Sequence, residues 1–148
     1  MNIPEIVETL AFNEGYFPLE AVKSAIANRD KIIPELLKMI EYATEEIEEV
    51  YELEEFMGHI YAFFLLAQFR EKRAYPLIVN FFSIPGGLPA EVTGDVVTED
   101  LNRILASVCG KDLSLIKKMI EDENLYEFIR DAAIRALVVL VTEGVISR

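Results

Sequence analysis

Apolar residues recur along most of this chain at the three-to-four-residue spacing of amphipathic helices. Glycine, proline or a capping residue separates one apolar stripe from the next. The pattern predicts about eight helices and an all-α fold. Five are expected near residues 3–11, 18–28, 54–71, 75–83 and 127–143; the others begin at the caps Asp30, Thr93 or Asp95, and Asp112. Asn2 is the predicted cap of the first helix, and Pro34 is expected in the first turn of the third.

Three of the predicted helices share one pattern. IPELLKMI begins at Ile33, YPLIVNFF at Tyr75 and LSLIKKMI at Leu113, so their starts are 42 and 38 residues apart. The helices that follow them also align, with Ile60, Val96 and Ala132 in equivalent positions. A repeat of about 40 residues made of two helices is typical of an α-solenoid, in which stacked pairs build one continuous core. We therefore expect one domain over 1–148, an α-α superhelix of antiparallel pairs: cap helices over 3–28 and repeats near 30–71, 74–109 and 112–143.

Composition narrows the range of partners. The net charge is -12, with only 14 Lys and Arg residues and no stripe of them. Binding to nucleic acid or to an anionic membrane requires clustered cations, so neither is expected. Cys109 is the single cysteine, which rules out a disulfide within the chain and fits a reducing, cytoplasmic location. The N-terminus lacks the pattern of a signal peptide, and neither apolar stretch, 56–69 or 74–90, is a credible membrane span.

The segment FIRDAAIRAL, which begins at Phe128, is similar to the second helix of a HEAT repeat. Ile129 and Arg130, followed by spaced small residues and Leu137, match that pattern. The resemblance implies an acidic partner for the arginine in the preceding turn, and Asp122 is the candidate. In the two earlier repeats Gly58 and Gly94 occupy the arginine position, so the resemblance is weaker there.

The chain from Phe17 onward also resembles a bacterial family of uncharacterised HEAT-like proteins. The segments FPLEA, YAFFLLAQFRE and GDVVTEDL carry this resemblance. Longer members of that family often continue into further helices and can end in a zinc-binding tail, whose cysteines are absent here. The resemblance implies a helical-repeat fold and no particular reaction.

Four polar residues form the candidate binding surface. His59, Asp95 and Asp131 occupy equivalent positions in the repeats, so regular stacking predicts a row along one edge, with Glu99 beside Asp95. A row of this kind suits a partner or a small ligand, and its acid–base groups leave hydrolysis open. Each residue also has a purely structural interpretation. His59 is expected to pair with Glu55, Glu99 with Arg103, and acidic residues are favoured at helix starts in any case.

Three further features have mainly structural interpretations. Residues 45–55 hold seven glutamates, which predict a solvated helix end or linker, with a Ca²⁺ site or a basic partner as the alternative. Residues 83–93 predict a mobile connection on one face of the stack. Cys109 is expected to be buried, and the aromatic residues at helical spacing are expected to belong to the core.

No catalytic or cofactor motif stands out, so we expect no catalytic residue, cofactor or metal, and favour a non-enzymatic role. The preferred hypothesis is a protein-interaction or scaffold module that binds basic or mixed-charge proteins, because its own field is negative. A small-ligand-binding or hydrolytic protein that uses the polar row is the first alternative. A regulatory part of a longer polypeptide is the second, and an exposed apolar face on the last helix pair would favour it.

Overall fold

The fold is all-α and superhelical, as a computed structural model of the chain that describes residues 1–12 and 15–147 shows. Within these residues there are eleven helices and no strand. They are α1 (Ile3–Ala11), α2 (Leu19–Ala27), α3 (Arg29–Glu45), α4 (Ile47–Glu52), α5 (Gly58–Gln68), α6 (Ala74–Phe82), α7 (Leu88–Glu91), α8 (Val96–Glu99), α9 (Leu101–Val108), α10 (Ser114–Glu121) and α11 (Glu127–Thr142).

The long helices form two layers. In one layer α3 packs on α6 and α6 on α10; in the other α5 packs on α9 and α9 on α11. Across the layers α3 contacts α5, α6 contacts α9, and α10 contacts α11. Equivalent helices of successive pairs therefore lie side by side. Helix α1 contacts α2, α3 and α5 at the N-terminal end of the stack.

A continuous apolar core runs between the layers. Its largest side chains include Phe63, Phe81 and Phe82, whose ring centroids lie 4.9–5.3 Å apart. Helix α5 is apolar on nearly every side because α1, α3 and α9 cover it. Among the described residues, no helix is both long enough and apolar enough to cross a membrane.

Several predicted helix ends are confirmed. Asn2 caps α1 by accepting a hydrogen bond from the Glu5 N–H at 2.9 Å. Gly110 and Gly144 follow α9 and α11 with φ of +60° and +75°, a conformation that glycine adopts without strain. The break expected between the helices near 3–11 and 18–28 includes Asn13 and Glu14, which lie outside the described part of the chain.

Other predicted ends are wrong. Helix α3 begins at Arg29, which places Asp30 inside the helix and Pro34 beyond its first turn. The helix expected over 54–71 begins only at Gly58. The helix expected after Asp95 is interrupted at Asp100, which separates α8 from α9. Asp112 does not itself precede α10, but its carboxylate accepts a hydrogen bond from the Ser114 N–H at 3.0 Å.

The segment predicted to be a solvated helix end or linker and the connection predicted over 83–93 each contain a short helix. In the glutamate-rich segment, α4 buries Ile47 and Val50 and exposes its carboxylates. In the predicted connection over 83–93, α7 lies against α4. Thr93 follows α7 and is buried; its hydroxyl donates to the Pro89 carbonyl at 2.8 Å. The same end of the stack therefore gathers α4, α7 and the start of α5.

Candidate interaction surface

Charge is segregated along the chain. Residues 1–22, 39–69 and 74–102 contain no lysine or arginine, and the middle segment alone holds eight glutamates. The middle part of each segment lies at one end of the stack, where the ends of α1, α3 and α6 meet the start of α5: the Met57 N–H bonds the Ala11 carbonyl, and the His59 and Phe81 ring centroids lie 6.0 Å apart. Lysines and arginines gather at the opposite end, where Arg29 bonds the Phe69 carbonyl and Lys72 lies against Gly110. One end of the molecule therefore has acidic side chains and no cation from these segments.

A groove of about 820 Å³ opens at this acidic end, between the end of α1 and the start of α5. Phe12, Tyr16 and Phe17 lie along it with 51%, 65% and 61% of their surface exposed. Glu54 and Glu55 line the same groove and are exposed. We call this the N-terminal groove. Its wall combines large apolar side chains with carboxylates, and no lysine or arginine is among the described residues that line it.

A second groove of about 700 Å³ lies on the other side of the segment that connects α4 to α5. Tyr51 and Leu53 expose 52% and 40% of their surface there, and Glu52 and Glu91 contribute carboxylates. We call this the α4–α7 groove. The two grooves adjoin, since Glu54 and Met57 line both of them.

The segment that connects α4 to α5, residues 53–57, forms a ridge between the grooves, and a buried aromatic residue fixes it. Phe56 is 7% exposed, and its ring meets the edges of Phe12 and Tyr42 at centroid distances of 5.6 and 5.3 Å. The Met57 N–H donates to the Ala11 carbonyl at 2.8 Å, which joins the ridge to the end of α1. Burial, together with the nearby carboxylates of Glu49 and Glu46, raises the pKa of the Tyr42 hydroxyl. The negative potential of this end thus reaches a side chain beneath its surface.

Gly58 begins α5 directly below the ridge, where a side chain would be crowded. A Cβ at this position would lie 3.0 Å from the Phe56 ring, 3.2 Å from the Met39 sulfur and 3.3 Å from the Ala11 Cα. A side chain at this position would therefore require these neighbours to move by a few tenths of an ångström.

His59 is a core residue, and its predicted place on an exposed row is wrong. Its ring is 0% exposed and stacks on Phe56 at a centroid distance of 5.5 Å. Nε2 lies 2.7 Å from the Val92 carbonyl oxygen and must carry the hydrogen, since a carbonyl only accepts. Nδ1 has no hydrogen-bond partner among the described residues. The expected pairing with Glu55 is absent, because Glu55 precedes the helix and is exposed.

Burial lowers the pKa of His59, and the hydrogen bond to Val92 opposes this shift only in part. The ring is therefore neutral in the folded protein, and its N–H tethers the end of α7 to α5. This arrangement stabilises the floor of the α4–α7 groove and gives a ligand no access to the imidazole.

The other predicted site residues, Asp95, Glu99 and Asp131, are exposed. Arg135 connects two of their helices: its guanidinium pairs with Asp131 at 3.0 Å and donates to the Thr98 carbonyl of α8 at 2.9 Å. Arg103 pairs with the Asp100 carboxylate at 3.1 Å, so the expected pairing with the Glu99 carboxylate is wrong. The binding role of Asp95, Glu99 and Asp131 stays a prediction.

Arg130 does not bond Asp122, the partner that the HEAT resemblance implies. Its guanidinium instead donates twice to the Ile120 carbonyl at the end of α10, at 2.8 and 3.1 Å. The Asp122 carboxylate accepts from the Asn124 N–H. Arg29 makes a similar bond to the Phe69 carbonyl after α5, at 2.9 Å. An arginine therefore caps a neighbouring helix end in two of the pairs.

The predicted burial of the single cysteine is confirmed. Cys109 is buried as expected, and burial raises the pKa of its thiol, which disfavours the reactive thiolate. Within 1–12 and 15–147, no group of histidine, cysteine or carboxylate side chains is arranged to hold a metal ion.

The exposed aromatic residues beside the N-terminal groove were missed by reasoning from helical spacing. Phe12, Tyr16 and Phe17 fall in a predicted break between helices, where no amphipathic stripe accounts for them. The sequence signal that could have found them is the cluster of three aromatic residues between two predicted helices. That these aromatic residues lie beside Glu54 and Glu55, some 40 residues later in the sequence, depends on the fold.

Comparison with known proteins assigns a family to the chain. Residues 1–148 match the family described as "Protein of unknown function (DUF1186)". An uncharacterized protein of Chlamydia muridarum (strain MoPn / Nigg) is 45% identical over 148 residues, and one of Chlamydia trachomatis serovar D is 44% identical over the same length. The match covers 100% of this chain and 59% of each relative. No solved structure shows significant similarity to the chain. The chain belongs to the DUF1186 family.

Proposed function

We propose that this chain is a protein-interaction module that binds its partner at the acidic end of the helical stack. One observation carries the proposal: three aromatic side chains, each more than half exposed, line one groove together with two carboxylates. Large aromatic residues are enriched at protein interfaces, where they supply much of the binding energy. On an ordinary surface they are costly to expose, and clustered exposure marks an interaction site.

Burial of the exposed aromatic side chains by a partner would supply enough binding free energy for a specific contact. Fully burying one phenylalanine side chain is worth about 1.5–3 kcal/mol, and Phe12 and Phe17 retain more than half of that area for a partner. The aromatic residues are also held in place, since Phe12 packs on Phe56 and Phe17 lies 6.3 Å from the ring of Tyr61. A surface that is already ordered loses little entropy on binding.

The architecture belongs to the same proposal. We interpret α1 and α2 as cap helices and the pairs α3/α5, α6/α9 and α10/α11 as three HEAT-like repeats of one domain, near residues 30–71, 74–109 and 112–143. Two features support this: equivalent helices contact each other in each layer, and the sequence repeats in register. A cytoplasmic location fits the single buried thiol.

Affinity capture tests the proposal. The tagged wild-type chain should retain a reproducible protein from a native bacterial lysate, and the double variant Tyr16→Ala/Phe17→Ala should lose it. The matched control is Tyr126→Ala/Phe128→Ala, which removes an exposed aromatic pair at the other end of the chain. Equal retention by wild type and the groove variant, or no reproducible protein at all, would contradict the proposal.

A second candidate role, as part of a longer polypeptide, is favoured by the outer face of α11. Ile134 and Val138 are one helical turn apart and expose 48% and 60% of their surface. An exposed apolar stripe on the last helix of a stack suits further helices packing there. The matched relatives, which are longer than this chain, provide the test. Ile134→Glu/Val138→Glu at the equivalent positions of a relative should lower its melting temperature, whereas in this chain it should not.

A further inference from the structure

We propose that the partner is an extended, basic polypeptide segment with two apolar anchors, one for each groove. This rests on the proposed function and adds the chemistry of the partner. The two grooves share Glu54 and Met57 as lining residues, so a single segment can cross the ridge and enter both. The chemistry of the partner follows from this arrangement, in which apolar side chains lie in both grooves and carboxylates lie between them.

Each groove exposes apolar side chains that an anchor of the partner can cover. The N-terminal groove offers Tyr16 and Phe17, and the α4–α7 groove offers Tyr51 and Leu53, each exposed by 40% or more. A single anchor would leave one set of apolar side chains in water. Two anchors bury both, and linking them in one chain makes the second contact intramolecular.

The ridge and the α4–α7 groove carry exposed carboxylates. Glu52, Glu54 and Glu55 are consecutive or nearly so along the ridge, all exposed, and Glu91 faces the α4–α7 groove. Among the described residues that line the two grooves there is no lysine or arginine, so none of these pairs with the carboxylates. A partner with lysines or arginines between its anchors supplies the missing charges and is selected over acidic segments.

The ridge is held in a fixed position between the two grooves. The hydrogen bond from Met57 to Ala11 and the packing of Phe56 against Phe12 hold the ridge to α1. On the other side, the bond from His59 to Val92 holds the α4–α7 groove to the same helix, α5. The spacing of the two grooves is thus set by the folded core, which favours a segment of one length between anchors.

Four labelled peptides test the inference by fluorescence anisotropy and by ¹H–¹⁵N correlation spectra of the whole chain. FLKRKRKLF carries two anchors and basic residues, FLKRKRKGS has one anchor, SGKRKRKGS has none, and FLEDEDELF has acidic residues. We expect FLKRKRKLF to bind at least about tenfold more tightly than each of the others, which corresponds to 1.4 kcal/mol. When FLKRKRKLF binds, the protein's amide signals that shift should include Gly15 in the N-terminal groove and Gly94 in the α4–α7 groove.

Variants locate the contact. Glu54→Gln/Glu55→Gln should weaken FLKRKRKLF by roughly threefold or more at low salt, with a smaller effect at high salt, since exposed charges are screened. The control Glu121→Gln/Glu123→Gln, two exposed carboxylates after and within α10, should change nothing. Thermal melts of both variants exclude a folding defect.

Each contrary result has a distinct meaning. Equal binding of the one-anchor peptide overturns the two-groove contact, and equal binding of FLEDEDELF overturns the role of charge. Equal binding of SGKRKRKGS shows charge attraction alone and also overturns the inference. If no peptide binds while affinity capture succeeds and depends on Tyr16 and Phe17, the partner chemistry is wrong and the interaction module stands.

Discussion

His59 shows how one buried side chain makes stability depend on pH. It is the only histidine, and burial keeps its folded pKa below the ordinary value of 6.5. Below that pH the unfolded chain binds a proton that the folded chain does not, so the free energy of unfolding falls as pH falls. The stabilising contribution is complete above pH 6.5 and decreases below it, by at most about 1.4 kcal/mol per pH unit.

Urea unfolding at pH 7, 6 and 5 checks this expectation. The variant His59→Gln keeps a donor for the Val92 carbonyl and does not titrate, so its stability should be nearly constant over this range. An identical pH slope in wild type and His59→Gln would assign the dependence to other groups.

An added methyl group at Gly58 would meet three neighbours closely. We expect Gly58→Ala to lower the free energy of unfolding by about 1–3 kcal/mol, because its Cβ crowds Phe56, Met39 and Ala11. The control Gly87→Ala places a Cβ in open space at φ -91° and should be neutral or slightly stabilising. Chemical denaturation of both variants gives the comparison, and a neutral Gly58→Ala would show that the ridge yields easily.

At the scale of helices, spacing predicted elements with a clear apolar stripe better than the others. The bounds of α1, α6 and α11 agree with the structure within about one or two residues, whereas those of α5, which is apolar on nearly every side, do not. Helix α4 was hidden because glutamates surround Ile47 and Val50, and two buried residues do not make a detectable stripe. The site followed the same rule. Its aromatic residues lie in a break between helices, and only the fold brings Glu54 beside Phe17.

Contacts between successive pairs are also invisible in the sequence, and Tyr75 provides one. Its hydroxyl is buried and accepts a hydrogen bond from the Ile116 N–H at 3.1 Å, in the first turn of α10. Such N–H groups have no partner within their own helix.

Tyr75→Phe should therefore cost about 1–3 kcal/mol, since it leaves a buried donor unpaired while keeping the ring. Equilibrium unfolding measures the loss, and hydrogen exchange should show faster exchange at Ile116 than in wild type. Tyr126→Phe, which changes an exposed tyrosine, is the control and should have no effect on stability. A cost below a few tenths of a kcal/mol would mean that water replaces the hydroxyl.

For the whole molecule, antiparallel packing converts a charge pattern along the sequence into a charge difference across the fold. Segments without cations alternate with segments that contain them, and each helix pair returns the chain to the same end. The acidic end therefore accumulates like charges from several elements. This arrangement favours a basic partner and destabilises the isolated chain through self-repulsion.

Salt should reveal that repulsion. On α4, Glu48 and Glu52 are four residues apart, both exposed, and like charges at this spacing destabilise a helix by about 0.2–0.5 kcal/mol per pair. We expect Glu52→Gln, which removes the carboxylate from the last turn of α4 and leaves Glu48 at the helix start, to raise the free energy of unfolding at low ionic strength. The difference from wild type should shrink toward zero as salt approaches about 1 M, where the screening length is about 3 Å. Urea unfolding across a salt series measures it. Glu121→Gln/Glu123→Gln, which lie near Lys117 and Lys118, should give no gain. A gain that persists at high salt would trace the effect to helix propensity instead of charge, and the negative field at this end would then be too weak to select a partner.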